Sequence, residues 1–383
     1  MLSADEWALT MIQKELAVDD QTSISFTEEL NLLHQLLQKQ YPFVKRIGVV
    51  LYEPETDELK TFSYSGCGQN VVQFYQFKLC ESDSLSRAYH QNRPRIINDL
   101  ERFGHNGRPH STKIREAGFK ASYTYPMFYH GQFYGFVFFN STEKNVFTDD
   151  TVFDFELMSR LITVMVMNDL RLNALLQATL KSTLEIAGQK DPETREHLER
   201  VAHYSRLIAQ EVAPKYDLDD EFVERVYLFA PLHDIGKIGI PDAILLKPGK
   251  LTHAEFDVMK SHVIKGYELI EKLLRHYELG ALRHVDILKG IIRSHHESLD
   301  GSGYPDGLKD VEIPLEARIV AVADVFDALT SNRPYKSAWP NQVAFEELWA
   351  IADSKLDRDC VHALEKRREE VLKIQAMLED SVA

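Results

Sequence analysis

Cysteine is scarce, three in 383 residues, and Cys67, Cys80 and Cys360 stand far apart with no CxxC pairing. That excludes a disulfide framework and a thiolate metal site, and points to a reducing compartment, the cytoplasm. Long apolar runs are also missing. The longest, Leu161 to Met167, is interrupted by Thr163 and bounded by Arg160 and Asp169, so no membrane insertion is expected. The first residues carry Asp5, Glu6 and Glu15 in place of a basic start and an apolar core, which argues against a secretory signal. Positive charge is in deficit, 44 Lys and Arg against 59 Asp and Glu, for a net charge of -15. Generic binding to DNA or to an anionic membrane is disfavoured, and any phosphate-bearing partner needs a local cationic site.

What is present is the composition of an ordinary globular protein, 44% hydrophobic and 27% charged, in a chain longer than one hydrophobic core normally serves. Two domains are expected. Between residues 23 and 150, β-branched and aromatic stretches alternate with turn signals and predict strands at Ile47–Tyr52, Leu59–Tyr64, Ile96–Asn98, Ala121–Phe128 and Phe133–Asn140. Tyr129-His130-Gly131-Gln132 reads as the turn of a hairpin, and Glu28–Gln40 and Asp150–Met167 have helical apolar spacing. This order resembles a GAF sensory domain. The resemblance implies an α+β sheet with flanking helices that takes an unnamed small-molecule ligand or pairs subunits.

From Thr151 to Ala187 there is neither proline nor glycine, so one long connecting helix is predicted. Leu157, Leu161, Val164, Leu172 and Leu175 form an apolar seam on it, broken from a strict heptad by Asn168 and Thr179. The seam suits core packing or parallel pairing in a homodimer, and the homodimer is the expectation. Beyond Gly188 the signals are helical only: Asp191-Pro192 reads as a cap with proline in the first turn, and Thr252 with Glu255 as a capping box. The expected plan is an N-terminal helical segment (1–22), a GAF-like domain (23–150), a connecting helix (151–187) and an all-α helical bundle (188–375).

Fifteen histidines are present. His90, His110, His130, His203, His253, His276, His284 and His362 sit among polar neighbours and read as surface or half-buried side chains. Others interrupt apolar patterns. His233-Asp234 end the stretch Phe222 to Leu232, with Lys237 just beyond. Glu193 and His197 share a helix face continued by Val201, Tyr204 and Ile208. His262 has Gly266 and Leu269 at helical spacing, His295-His296 follow Ile291-Ile292, and Asp324 lies inside the apolar helix Ile319 to Leu329, where an unpaired carboxylate is costly. Together Glu193, His197, His233, Asp234, His262, His295, His296 and Asp324 offer more ligands than one first-row ion accepts, so at least two ions are expected. Imidazole and carboxylate without thiolate suit iron or manganese, admit zinc and disfavour calcium. Asp234 is the expected bridge between ions, and two ions can share and acidify a water while clamping a phosphate. Lys237, Arg333 and Lys336 supply the local positive charge.

The His233-Asp234 pair with Lys237, then His262, His295-His296, Asp300-Gly301-Ser302-Gly303-Tyr304-Pro305, and Ala323-Asp324 through Ser331 with Arg333-Pro334-Tyr335-Lys336 resemble the HD-GYP family. The resemblance implies an HD-type bundle that hydrolyses cyclic di-GMP to linear pGpG, in some members onward to GMP, with two or three iron or manganese ions. It makes the His and Asp positions metal ligands, assigns Lys237, Arg333 and Lys336 to substrate phosphate, and puts Tyr304 in a loop that lines the site or meets a signalling partner. Glu193 is not present in every member and matches the arrangement that admits a third ion. Ala352 to Asp357 departs from the family pattern at the rim, which leaves base selectivity open between cyclic di-GMP and 3'3'-cyclic GMP-AMP. A module that binds the nucleotide without cleaving it is the alternative from another class.

Overall fold

In a computed structural model, the structure describes residues 25–66, 75–102, 109–186, 195–276, 284–331 and 338–378, with side chains left aside at 109–112 and 172–186. The expected N-terminal segment, the Asp191-Pro192 cap, Glu193, Arg333 and Lys336 lie outside the described residues. The chain divides into two compact units, Met1–Leu172 and Asn173–Ala383.

The first unit is a six-stranded antiparallel sheet flanked by helices. Helix α1 (Phe26–Gln40) opens on a capping box of Ser25 and Glu28. Strands β1 (Val44–Glu53), β2 (Glu58–Gly66) and β3 (Gln76–Lys78) follow, then α2 (Asp83–Gln91), β4 (Arg95–Ile97), α3 (Pro109–Glu116), β5 (Ala121–Tyr129) and β6 (Gln132–Ser141). The spatial order is β3-β2-β1-β6-β5-β4. The β5–β6 turn is the predicted one: His130 and Gly131 hold φ of 49° and 81°, the pair of positive φ that a two-residue hairpin turn requires. Strand β3 escapes the sequence pattern because three residues are too few to show alternation.

Helix α4 (Asp149–Ile186) runs unbroken for 38 residues. Phe155, Met158, Ile162 and Val166 bury its first half against Phe26, Leu30 and Leu33 of α1 and against Ile47, Val49, Tyr123 and Phe139 of the sheet. The sheet does not cover the whole apolar seam: Leu157 and Val164 are 44% and 53% exposed. The helix is apolar on two faces, and the sheet selects the stripe at positions 155, 158, 162 and 166.

In the second unit all the described regular elements are helices. They are α5 (Arg195–Tyr216), α6 (Asp220–Phe229), α7 (His253–Lys260), α8 (His262–His276), α9 (Val285–Ser294), α10 (Leu315–Thr330), α11 (Asn341–Ile351), α12 (Arg358–Lys366) and α13 (Arg368–Met377), with short helical turns between some of them. Helix α5 packs on α6, α10, α12 and α13, burying Val201, Tyr204, Ile208 and Val212. The predicted Thr252–Glu255 capping box starts α7. Among the described residues no helix is long and apolar enough to cross a membrane.

Candidate metal centre

Helix α6 starts from the Asp219 cap and stops at Phe229, short of the expected Leu232. Pro231 has no N–H to continue the ladder, so the chain tightens into a 3-10 turn, Ala230–Leu232, and delivers His233 and Asp234 at its end. A second 3-10 turn, Ile235–Gly239, lies against α8. A Cβ on Gly236 would stand 1.8 Å from the His262 carbonyl oxygen and 2.5 Å from the Gly266 nitrogen. This backbone contact sets His262 beside Asp234.

Atoms able to ligate a metal on Asp234, His262, His295 and His296 lie within 4.8 Å of one another, and those of His197, His233 and Asp324 form a second such group. Every described residue of the predicted ligand set is thus in one group or the other. The imidazoles are held from behind. His233 Nδ1 faces the Ala230 carbonyl at 2.8 Å, His262 Nδ1 that of Met259 at 2.8 Å, and His295 Nδ1 that of Ile291 at 3.0 Å. His197 Nδ1 meets Asp327 Oδ2 at 2.7 Å. An acceptor at Nδ1 keeps the proton of the neutral ring there, so Nε2 turns a lone pair inward.

These inward atoms converge. Asp234 Oδ1 lies 2.9 Å from His262 Nε2 and 3.6 Å from His295 Nε2, and Asp234 Oδ2 lies 3.2 Å from His233 Nε2. Asp234 Oδ1 and the Nε2 atoms of His262 and His295 are buried and form no hydrogen bond. Acceptors facing one another out of reach of solvent are unfavourable unless a cation lies among them, so the residues present fit first-row metal ions.

Burial works to raise the Asp234 carboxyl, but Lys237 and His233 beside it hold it well below the usual carboxylate range. Lys237 Nζ lies 2.6 Å from Asp234 Oδ2. Burial lowers His295 against the pull of Asp234, and burial with the neighbouring His295 lowers His296 further. These rings are neutral, as ligands must be.

Asp324 does not carry the burial expected of it: its side chain is 20% exposed and faces His197 Nε2 at 3.8 Å. The fully buried carboxylate of α10 is Asp327, 1% exposed. It accepts from Arg200 Nε at 2.6 Å, Arg200 Nη2 at 3.1 Å and Ser331 Oγ at 3.1 Å besides facing His197. Burial pushes the Asp327 carboxyl up, and the hydrogen bonds from His197 and Arg200 overcome it. Sequence reasoning missed both Asp327 and Arg200. The available signal was their spacing, each three residues after a proposed ligand.

The Tyr304 loop folds over the group of Asp234, His262, His295 and His296. Glu297, also missed, accepts the backbone N–H groups of Asp306, Gly307 and Leu308 at 2.7, 3.1 and 3.1 Å. A Cβ on Gly303 would lie 2.3 Å from the Ser298 nitrogen, so only glycine lets the loop double back there. Arg293 clamps Asp306 with two bonds, at 2.7 and 2.9 Å. The Tyr304 ring stacks on His296 at 4.8 Å between centroids, and burial with the Asp234 charge raises its hydroxyl. The divergent rim joins the same loop, with Asp300 N–H donating to the Ser354 carbonyl at 2.8 Å.

Comparison with known proteins agrees with both halves. Residues 23–167 match the GAF domain family and residues 182–360 the HD domain family. The cyclic di-GMP phosphodiesterase response regulator RpfG of Xanthomonas campestris is 47% identical over 197 residues, 51% of this chain and 49% of that protein. A cyclic di-GMP phosphodiesterase of Thermotoga maritima is 43% identical over 187 residues, 49% of this chain and 48% of that protein. The 3'3'-cGAMP-specific phosphodiesterase 2 of Vibrio cholerae is 39% identical over 188 residues, 49% of this chain and 34% of that protein. The chain thus covers half or less of the length of these relatives. The molecule joins a GAF domain to an HD domain.

Proposed function

We propose that residues 188–375, within the second unit, are a metal-dependent phosphodiesterase that hydrolyses cyclic di-GMP to linear pGpG, with GMP as the further product to be tested, under the influence of the GAF domain. The supporting observation is the buried convergence of Asp234 Oδ1 with the Nε2 atoms of His262 and His295. Asp234, His262, His295 and His296 would hold one ion, and His197, His233 and Asp324 a second; Asp234, between His233 and His262, would bridge them. Glu193 favours a third ion, with iron preferred and manganese the alternative. Bound ions would acidify water and neutralise charge on the phosphate.

The chain's own groups do the rest. Asp234 stays ionised and His295 and His296 neutral, so these three groups would accept a cation without first losing a proton. Lys237 Nζ stands 2.6 Å from Asp234 Oδ2 and would turn its charge to a phosphate oxygen where a cation takes its place there. Arg333 and Lys336 are proposed as the further phosphate contacts. The Tyr304 ring, stacked on His296, offers a flat wall to the nucleotide and shields the reacting bond from bulk water. Hydrolysis adds water across the P–O3' bond, leaving a ribose 3'-hydroxyl and a 5'-phosphate.

Protein purified with iron or manganese under reducing conditions should convert cyclic di-GMP to pGpG by chromatography, and Asp234→Ala should abolish turnover. Failure to cleave any cyclic dinucleotide, or a full rate in Asp234→Ala, would overturn the reading. The Ala352–Asp357 rim, bonded to the Tyr304 loop, favours testing 3'3'-cyclic GMP-AMP in parallel; faster cleavage of that substrate would move the assignment to it.

A further inference from the structure

Four of the five imidazoles in the two ligand groups have an acceptor at Nδ1: Asp327 for His197, and a backbone carbonyl for each of His233, His262 and His295. His296 is the exception. Neither of its ring nitrogens has a hydrogen-bond partner among the described residues, so no acceptor fixes its tautomer or limits rotation about its second side-chain torsion, which is intrinsically broad. What restrains His296 is other rings. Tyr304 stacks on it with centroids 4.8 Å and planes 29° apart, His295 lies at 4.1 Å and 43°, and His262 stands edge-on at 5.1 Å. His295 and His262 are themselves tied to carbonyls. Tyr304 is tied through its backbone.

The chain doubles back to bring the two rings together. Tyr304 N–H donates to the His296 carbonyl at 3.2 Å, and at Gly303 a Cβ would meet Glu297 Cα at 2.5 Å. Glu297, the residue after His296 and only 5% exposed, fastens the return. Its Oε1 accepts from the Asp306 and Gly307 N–H groups and its Oε2 from that of Leu308. Hydrogen bonds to an ionised carboxylate are about twice as strong as neutral ones, so these three fix the loop that carries Tyr304. The Tyr304 hydroxyl has no hydrogen-bond partner among the described residues. The place of the ring is therefore set by the loop and by stacking, and the hydroxyl contributes nothing to it.

We infer that Tyr304 is a positioning residue for His296, with Glu297 holding Tyr304 in place. The phenol ring does by stacking what an acceptor at Nδ1 does for the other imidazoles: it limits rotation of His296, so that a ring nitrogen stays turned toward the ligand atoms of Asp234, His262 and His295. This role is separate from any contact between Tyr304 and a nucleotide, and it rests on the reading of these residues as a metal site.

The test is manganese binding to the full chain without nucleotide, measured by equilibrium dialysis and elemental analysis. Tyr304→Leu is expected to weaken one class of bound manganese by about 10-fold, whereas Tyr304→Phe, which keeps the ring, should bind as the wild type does. In a His296→Ala background, Tyr304→Leu should cost nothing further, because Tyr304 acts through that imidazole. Glu297→Gln, which keeps one acceptor oxygen where the carboxylate has two, should weaken manganese in the same direction and also add nothing to His296→Ala. If Tyr304→Leu does not fold, the Glu297→Gln cycle decides in its place. Unchanged affinity in Tyr304→Leu, an equal loss in Tyr304→Phe, or a loss undiminished in His296→Ala would overturn the inference and leave the metal site standing. A wild type that binds no manganese would overturn both.

Discussion

Asp327 acts on the site through the proton it keeps on His197 Nδ1, which it meets at 2.7 Å. Arg200, on the same carboxylate and on the Leu378 carbonyl at 2.9 Å, fixes the orientation of that pair. Removing such a support typically weakens metal binding by about 10- to 100-fold. Asp327→Asn should therefore lose metal from the His197, His233 and Asp324 group while the Asp234, His262, His295 and His296 group retains its own, as read by metal titration with elemental analysis. Equal loss from both groups would refute this role. The ligand types could be read from the sequence because a histidine or aspartate inside an apolar pattern is conspicuous. Asp327 was not, because Asp324 and Asp327 fall in the same apolar stretch and only the approach of Arg200 from α5 distinguishes them.

At the scale of elements, the site depends on how closely the turn after His233-Asp234 approaches α8. A methyl at Gly236 would collide with backbone at 1.8 Å, and backbone cannot rotate aside as a side chain can. Gly236→Ala is expected to destabilise the second unit by about 1–3 kcal/mol and to lower metal content, measured by urea denaturation and metal analysis. The packing of α9 on α10 carries a different strain. Burial pushes the Glu316 carboxyl from its ordinary 4.5 to about 7, with Arg318 opposing and Asp286 adding to the rise. Above pH 4.5 the unfolded chain loses this proton while the folded chain keeps it, so stability falls as pH rises and levels off above about 7. Glu316→Gln should match the wild type near pH 4 and exceed it on the order of 2 kcal/mol near pH 8 in urea denaturation. Equal stability at both pH values would refute it. Helices and strands were largely legible from periodicity. Which apolar face of α4 the sheet covers was not legible, because both faces are apolar and only the sheet determines which one it takes.

Across the whole molecule, two compact units share a net charge of -15. Metal held by the proposed site would bind the folded HD half and not its unfolded chain, and so would add stability to that half alone. Chelation is expected to speed hydrogen exchange across residues 195–276 and 284–331 and to leave the sheet strands at 44–66 and 121–141 unchanged. Uniform loss of protection, or none, would refute the assignment of metal to the HD half. Excess negative charge makes a local cation such as Lys237 decisive, since it stands against a background that repels anions.

By itself the sequence determined the two-part organisation, the helical and sheet character of each part, and which histidines and aspartates interrupt the apolar patterns. Periodicity and residue type are local properties carried by neighbours along the chain. Tertiary structure alone decided which imidazole nitrogen faces inward and which aspartate of α10 is buried. Those depend on atoms brought together from residues far apart in the chain, as His197 is with Asp327. Their spacing in sequence carries no record of the contact.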